Sequence, residues 1–333
     1  MESFTKPAID VEEQLQLLKS RGLKILDESR ARCFLQAVSF FRLTPYMRPF
    51  QQPDDPQHHF RPGAGFRDLS RLYDFDRRLR LLVMDAIERV EVAARAVISN
   101  HMGPSNGAHW YLEPELFKWR YQHDRLLQTI TNKQDKARDE YQRDCEQLET
   151  LLIPEERKER LKATRSRENY ARYYGHKYNE PDLMPGWAAM EELTLGELSF
   201  LYSGLNRDAD KKSIAKRLNL AAPLLESWLH CLTVIRNICA HHARLWNREP
   251  GIKPKLPKTV SFPWPSNLQQ QEQHHRMFTV LSILNLLMSQ VSPHTSWNRR
   301  LGDLFDEFPE IQVRAMGFPE DWKSDPFWQL AAF

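Results

Sequence analysis

The chain has 333 residues, 47 Lys and Arg against 44 Asp and Glu, 41% apolar residues and a mean hydropathy of −0.62. This composition fits one large or two small water-soluble globular units and excludes a disordered or collagen-like chain. Twelve glycines against 21 prolines, where average usage is roughly 7% glycine, leave little material for phosphate-binding glycine loops or a many-stranded sheet, and a surplus of +3 is too small to argue for nucleic acid by itself.

In chain order, Asp10-Val-Glu-Glu13 has the pattern of a capping box and opens a short amphipathic helix with Leu15 and Leu18 inward, closed by Gly22. A second helix is predicted from about Asp27 to Leu43, burying Cys33, Phe34, Ala37, Val38 and Phe41, with Thr44-Pro45 as its stop. Residues 49 to 65 read as loop. From Phe66 to about His101, Leu69, Leu72, Phe75, Leu79, Val83, Ala86, Val90 and Val97 recur at three-and-four spacing, predicting a long helix ended by Gly103-Pro104.

A charged and mostly helical stretch follows over about 115–178, interrupted near Pro154. Between Arg157 and Arg172 it holds seven cations (Arg157, Lys158, Arg160, Lys162, Arg165, Arg167 and Arg172) against Glu159 and Glu168, a local +5. Such a run reads either as a solvated helix face or as a contact for a phosphate backbone, with Tyr170, Tyr173, Tyr174 and Tyr178 able to stack on bases or to pack inward.

The helical pattern continues over Trp187 to Leu205, Asp208 to Leu218 and Pro223 to Arg248. Five prolines between Pro250 and Pro265 mark a loop, then Gln269 to Val291 reads as one more helix. The tail from Ser292 is irregular in pattern and rich in Phe and Trp. With no sustained strand alternation and no internal repeat, the fold class is all-α. The predicted organisation is an N-terminal helical segment (1–65), a helical core (66–249) carrying the charged insertion, and a Pro-rich loop, helix and tail (250–333).

Cys33, Cys145, Cys231 and Cys239 form no C-x-x-C pair, so neither a zinc ribbon nor a disulfide framework is expected, and a reducing, cytoplasmic setting is the default. No apolar run reaches the ~18 residues of a membrane span.

Read at 100° per residue from Leu224 to Arg248, Leu225, Trp228, Leu232, Ile235, Cys239, His242 and Trp246 form one apolar seam. The opposite arc, about 140° wide with Arg236 at one edge and His241 at the other, carries Asn237, Thr233, Ala240, His230, Arg244, Asn247 and Arg248. Asn237 and His241 are neighbours at i and i+4, and Arg236 reaches the same point past the small Ala240. An arginine fork for phosphate, an imidazole for proton transfer and no adjacent carboxylate to ligate a metal are the groups that metal-free phosphodiester cleavage by the 2′-hydroxyl of RNA requires. Adjacent His241 and His242 diverge by 100° and do not chelate one ion, so no metal and no cofactor is expected. Two other expectations attach to the arc: His242 as a hydrogen-bonded core histidine, and Arg236 salt-bridged to the long first helix, where Glu88, Glu91 and Arg95 share one face.

Arg236-Asn-Ile-Cys-Ala-His241 matches the R-x4-H form of the HEPN superfamily motif. Lys6-Pro with Glu12 to Gly22, Phe40-Phe-Arg-Leu-Thr-Pro-Tyr46, Asp85-Ala-Ile-Glu-Arg-Val-Glu91 and Arg236 to Arg248 extend the likeness. Together they resemble the Abi family of bacterial abortive-infection proteins over about three quarters of the chain. Departures at Ser39-Phe-Phe41 and Thr44-Pro45 concern packing. The resemblance implies a HEPN-type helical bundle, a metal-independent endoribonuclease of abortive-infection or toxin type, a homodimer with two motifs facing one cleft, and restraint by an antitoxin, in some relatives a small non-coding RNA. Carried onto this chain, Arg236, Asn237 and His241 are the catalytic positions, with His242, Arg244, Glu88 and Glu91 in support. RNA contacts are expected from Arg248 and from Arg157, Lys158, Arg160, Lys162, Arg165 and Arg167. Two other classes remain open from the sequence: a non-catalytic RNA-binding scaffold, and a protein–protein regulator that docks through the aromatic tail.

Overall fold

Fourteen α-helices, joined by six short 3-10 turns, account for the secondary structure of the residues described in a computed structural model, which are residue 3 and residues 7–258, 262–269 and 275–329. Among them there is no β-strand, only isolated bridges such as Lys24 to Gly65. The helices are α1 (Val11–Ser20), α2 (Glu28–Val38), α3 (Phe40–Met47), α4 (Phe66–Asn106), α5 (His123–Glu149), α6 (Glu155–Arg167) and α7 (Tyr170–Lys177). They continue with α8 (Gly186–Glu192), α9 (Leu195–Gly204), α10 (Asp208–Lys216), α11 (Ala222–Ala240), α12 (Met277–Val291), α13 (Trp297–Glu307) and α14 (Pro326–Gln329). No helix among the described residues is long and apolar enough to cross a membrane.

The all-α expectation holds, and several boundaries move for identifiable reasons. The capping box of α1 forms as read: Glu13 N–H donates to Asp10 Oδ1 at 2.9 Å, and Asp10 N–H donates back to Glu13 Oε2 at 2.8 Å. The helix predicted from Asp27 to Leu43 is instead two, because Ser39 takes φ 68° and caps α3 with its own hydroxyl. Within α2 the core face is Ala31 and Leu35, with Cys33 and Ala37 exposed, and past the break Phe41 is 88% exposed. Pro45 lies inside α3 rather than ending a helix. Likewise α4 runs through Gly103-Pro104 and stops at Gly107, whose φ of 95° suits glycine and whose N–H closes the last turn on the Gly103 carbonyl at 2.8 Å. A second capping box, Thr194 with Glu197, divides Trp187–Leu205 into α8 and α9.

Apolar burial falls into two clusters. The smaller sits under α1–α3 and the start of α4, with Leu15, Leu18, Leu43 and Leu69. The larger gathers around α4, which packs against α8, α11, α12 and α13. The tail that reads as irregular is largely ordered: α13, α14 and their turns bury Trp297, Phe305, Phe318, Trp322 and Trp328, with ring centroids 5–6 Å apart. A docking surface built from those rings is therefore not on offer. The residues predicted to open the helix before Val291, 270–274, lie outside the described ones, and α12 starts at Met277. All four cysteines are free, and burial pushes the Cys231 and Cys239 thiols up to about 12.

Candidate active site

The buried seam of α11 is as the wheel predicts over its first five positions: Leu225, Trp228, Leu232, Ile235 and Cys239 are all buried. The helix then ends at Ala240, two turns before the predicted Arg248. His241 is the C-cap, and its N–H bonds the Asn237 carbonyl at 3.0 Å. His242 enters the left-handed region at φ 55°. Its N–H donates to the Cys239 carbonyl at 2.9 Å, and the Ala243 N–H reaches back to the Ile238 carbonyl at 3.0 Å. This is the double closure of a Schellman motif, in which the left-handed position is usually glycine.

Two expectations change as a result. His242 is exposed and does not belong to the apolar seam. Arg244, Asn247 and Arg248 do not continue the helical arc but lie on a loop. Because a left-handed residue with a Cβ costs about 1–2 kcal/mol, His242→Gly is expected to raise folding stability by about 1 kcal/mol in urea denaturation. A loss of stability would mean that the imidazole itself anchors this corner.

The helix stops here for a tertiary reason. Asp76 of α4 is fully buried and accepts the backbone N–H groups of Leu245 at 3.1 Å and Trp246 at 2.5 Å. Those two donors would otherwise enter a continuing helix. The same carboxylate accepts the Tyr46 hydroxyl at 2.6 Å and an Arg80 guanidinium N–H, and Arg80 also donates to the Tyr46 oxygen at 3.0 Å. Burial pushes the Asp76 carboxyl up, opposed by Arg80, Tyr46 and the two backbone donors. Burial pushes the Tyr46 phenol up as well. Thus the segment Phe40–Tyr46, α4 and the residues that follow His241 share one polar knot, with Leu245 and Trp246 buried on either side of it.

Arg236 and Asn237 occupy the last full turn of α11. Asn237 and His241 are exposed and Arg236 is partly so, and an Arg236 Nη1–H donates to Asn237 Oδ1 at 3.3 Å. Among the described residues Arg236 forms no ion pair, so its charge is uncompensated by any neighbouring acid. The salt bridge to α4 is not made. Glu91 instead binds Arg95 at 2.5 Å, and Arg95 donates to the carbonyls of Met190 at 3.2 Å and Leu193 at 2.9 Å. Glu88 is exposed and carries no ion pair among the described residues.

Further cations meet the loop. Arg42 Nη1 donates to the His242 carbonyl at 2.8 Å, and Arg248 Nη1 to the Arg244 carbonyl at 3.4 Å. Burial holds the Arg244 guanidinium below its ordinary value, with Arg48 and Arg248 pushing the same way and Asp76 opposing. Arg42 and Arg48 were missed as site residues, although Arg42 lies within the Phe40–Tyr46 block. Asp76 and Arg80 carried a signal too: an acid and a base four residues apart, at three-and-four spacing with the core positions Leu72, Leu79 and Val83.

The basic run looks different in three dimensions. Lys158 pairs with Glu149 and Glu155, Lys162 with Glu149 and Glu159, Arg165 with Glu168, and Arg172 with Glu140 and Asp144. Four carboxylates contributed from outside 157–172 thus bring the acids near these seven cations to six. Arg157, Arg160 and Arg167 stay exposed with no ion pair among the described residues. Glu149, Glu155 and Glu159 stand close enough to share a cation, but they are the partners of Lys158 and Lys162, and neither His241 nor His242 joins them.

Comparison with curated proteins and with solved structures finds no match. A family model described as "Abi-like protein" matches residues 33–247, from α2 through the loop that Asp76 holds. With about two thirds of its length covered by that match, the chain belongs to the Abi-like family, whose description points to abortive infection.

Proposed function

We propose that the chain is an endoribonuclease of the abortive-infection type that cuts RNA without a metal ion, on a HEPN-type helical scaffold. The observation that carries this reading is the exposed end of α11, where an arginine with no ion pair among the described residues, an asparagine and a histidine stand within six consecutive residues. Family membership supports it.

In the proposed reaction the 2′-oxygen attacks the adjacent phosphorus and the bond from phosphorus to the 5′-oxygen breaks. His241 removes the 2′ proton or supplies one to the leaving oxygen, Arg236 neutralises the charge of the pentacoordinate phosphorane, and Asn237 orients the guanidinium and a phosphate oxygen. Two proton transfers need two groups. A homodimer with a two-fold axis at the site brings a second His241, and His242 stands beside it as support. Arg42, Arg244 and Arg248 hold the strand by its phosphates, as do Arg157, Arg160 and Arg167 on α6. An antitoxin, for which a small non-coding RNA is the first candidate, restrains the activity by covering the same cations.

Incubating the purified chain with RNA in excess chelator is the test. Cleavage is expected to continue and to leave 2′,3′-cyclic phosphate and 5′-hydroxyl ends, read by end-specific ligation and mass spectrometry. Activity that vanishes with chelator, or 5′-phosphate products, would sink the mechanism.

A further inference from the structure

A cleft of about 770 Å³ opens between the α1–α2 loop, the start of α2, the first three turns of α4 and the end of α13. Its size lies in the range of small-molecule sites, about 300–1,000 Å³. No residue of the Arg236–His241 motif lines it. The floor is aromatic: Phe34 meets Phe66 edge-on at 5.7 Å and Tyr73 at 5.6 Å. On its wall the guanidinium groups of Arg71 and Arg78 lie 4.6 and 5.3 Å from the centre of the Phe308 ring.

The rim is cationic in a specific way. Lys24, Arg30 and Arg67 are exposed at its mouth, and among the described residues none of the three forms an ion pair. Carboxylates are present but engaged. Asp27 accepts the Arg30 backbone N–H at 2.9 Å, Asp68 accepts that of Gly65 at 2.9 Å, and Asp74 and Glu307 pair with Arg78 at 3.1 and 2.7 Å. Six lining cations against four lining carboxylates leave a positive excess around the ring-lined floor.

A small inorganic anion would use the rim and leave the floor unfilled, whereas an apolar ligand would desolvate the cations without pairing them. An aromatic base joined to a phosphate uses both, through ring contact and through the guanidinium fork. We infer that the cleft binds a nucleoside phosphate, as a free nucleotide or as one unit of a strand, at a site separate from the proposed cleavage site.

Calorimetric titration of the full chain tests this with the four ribonucleoside 5′-monophosphates, a 2′-O-methylated hexanucleotide that resists cleavage, and inorganic phosphate. At least one nucleotide probe is expected to bind. The double variant Arg30→Ala with Arg67→Ala is expected to weaken it by about tenfold or more, which corresponds to about 1.4 kcal/mol. Phe34→Leu, which keeps an apolar side chain and removes the ring, should weaken it too, and Lys212→Ala, exposed on α10 and outside both sites, should leave it unchanged. Tyr73 is not the residue to vary, because its ring also packs on Tyr46 at 5.3 Å. Saturation by a monophosphate identifies a free nucleotide as the ligand, and binding of the hexanucleotide alone identifies a strand. No binding, binding that survives loss of Arg30 and Arg67, or inorganic phosphate binding as tightly as any nucleotide overturns the inference. Because Arg30 and Arg67 line the cleft and not the proposed cleavage site, and nucleotide binding is read without cleavage, failure of one reading is separable from failure of the other.

Discussion

His241→Ala is expected to reduce RNA cleavage by about 10²–10⁴-fold, the usual contribution of one general acid or base, while RNA affinity stays within a small factor of the parent. The separation follows from where His241 stands. Its backbone N–H, which closes the last turn on Asn237, survives the exchange, and its exposed imidazole takes no part in the core. The cations around it, Arg42, Arg244 and Arg248, hold their positions through backbone contacts and partial burial that do not involve the ring. Single-turnover cleavage with saturating enzyme and a filter-binding titration measure the two quantities independently. Equal loss of both would point to a scaffold that merely grips RNA, and unchanged cleavage would remove His241 from the chemistry.

Asp76→Ala should lower the unfolding free energy by about 3–5 kcal/mol, the range for breaking a buried ion pair and leaving its partner uncompensated. A typical domain has only about 5–15 kcal/mol to lose. The exchange strands the Arg80 guanidinium and the Leu245 and Trp246 N–H groups in a region with no water-facing alternative. Adding Arg80→Met to Asp76→Ala is expected to recover part of the loss, since no unpaired charge then stays buried. Denaturant midpoints at constant slope give both values. A deficit below about 1 kcal/mol, the size of an ordinary hydrogen bond, would show that the knot does not hold the loop. Proteolysis between Ala243 and Glu249 should quicken in the single variant if that loop is what comes free.

Much of the architecture was legible from short-range pattern. Low glycine, three-and-four spacing over Phe66 to Val97 and capping residues such as Asp10 belong to local helix physics, which acts within a few residues and is readable along the chain. The candidate site residues Arg236, Asn237 and His241 were legible for the same reason, since they fall within six consecutive residues at the end of one predicted helix.

Charge was harder to read from the sequence. The +5 between Arg157 and Arg172 counts neighbours in the chain, but Lys158, Lys162 and Arg172 meet acids from α5 across a helical hairpin. Coulomb energy depends on distance in space, so only the packed hairpin reveals which cations, Arg157, Arg160 and Arg167, keep their charge available.

By itself the sequence determined the all-α class, the seam of α11 and the cluster at its end, because 3.6-residue periodicity and side-chain chemistry are local properties. Where α11 stops was decided by tertiary structure alone. Nothing in His-His-Ala-Arg-Leu-Trp-Asn-Arg ends a helix before Pro250, but a buried carboxylate 169 residues upstream takes the N–H groups that the next turn would need. That capture turns Arg244 and Arg248 off the helical arc, exposes His242 and leaves His241 as the C-cap, open to solvent.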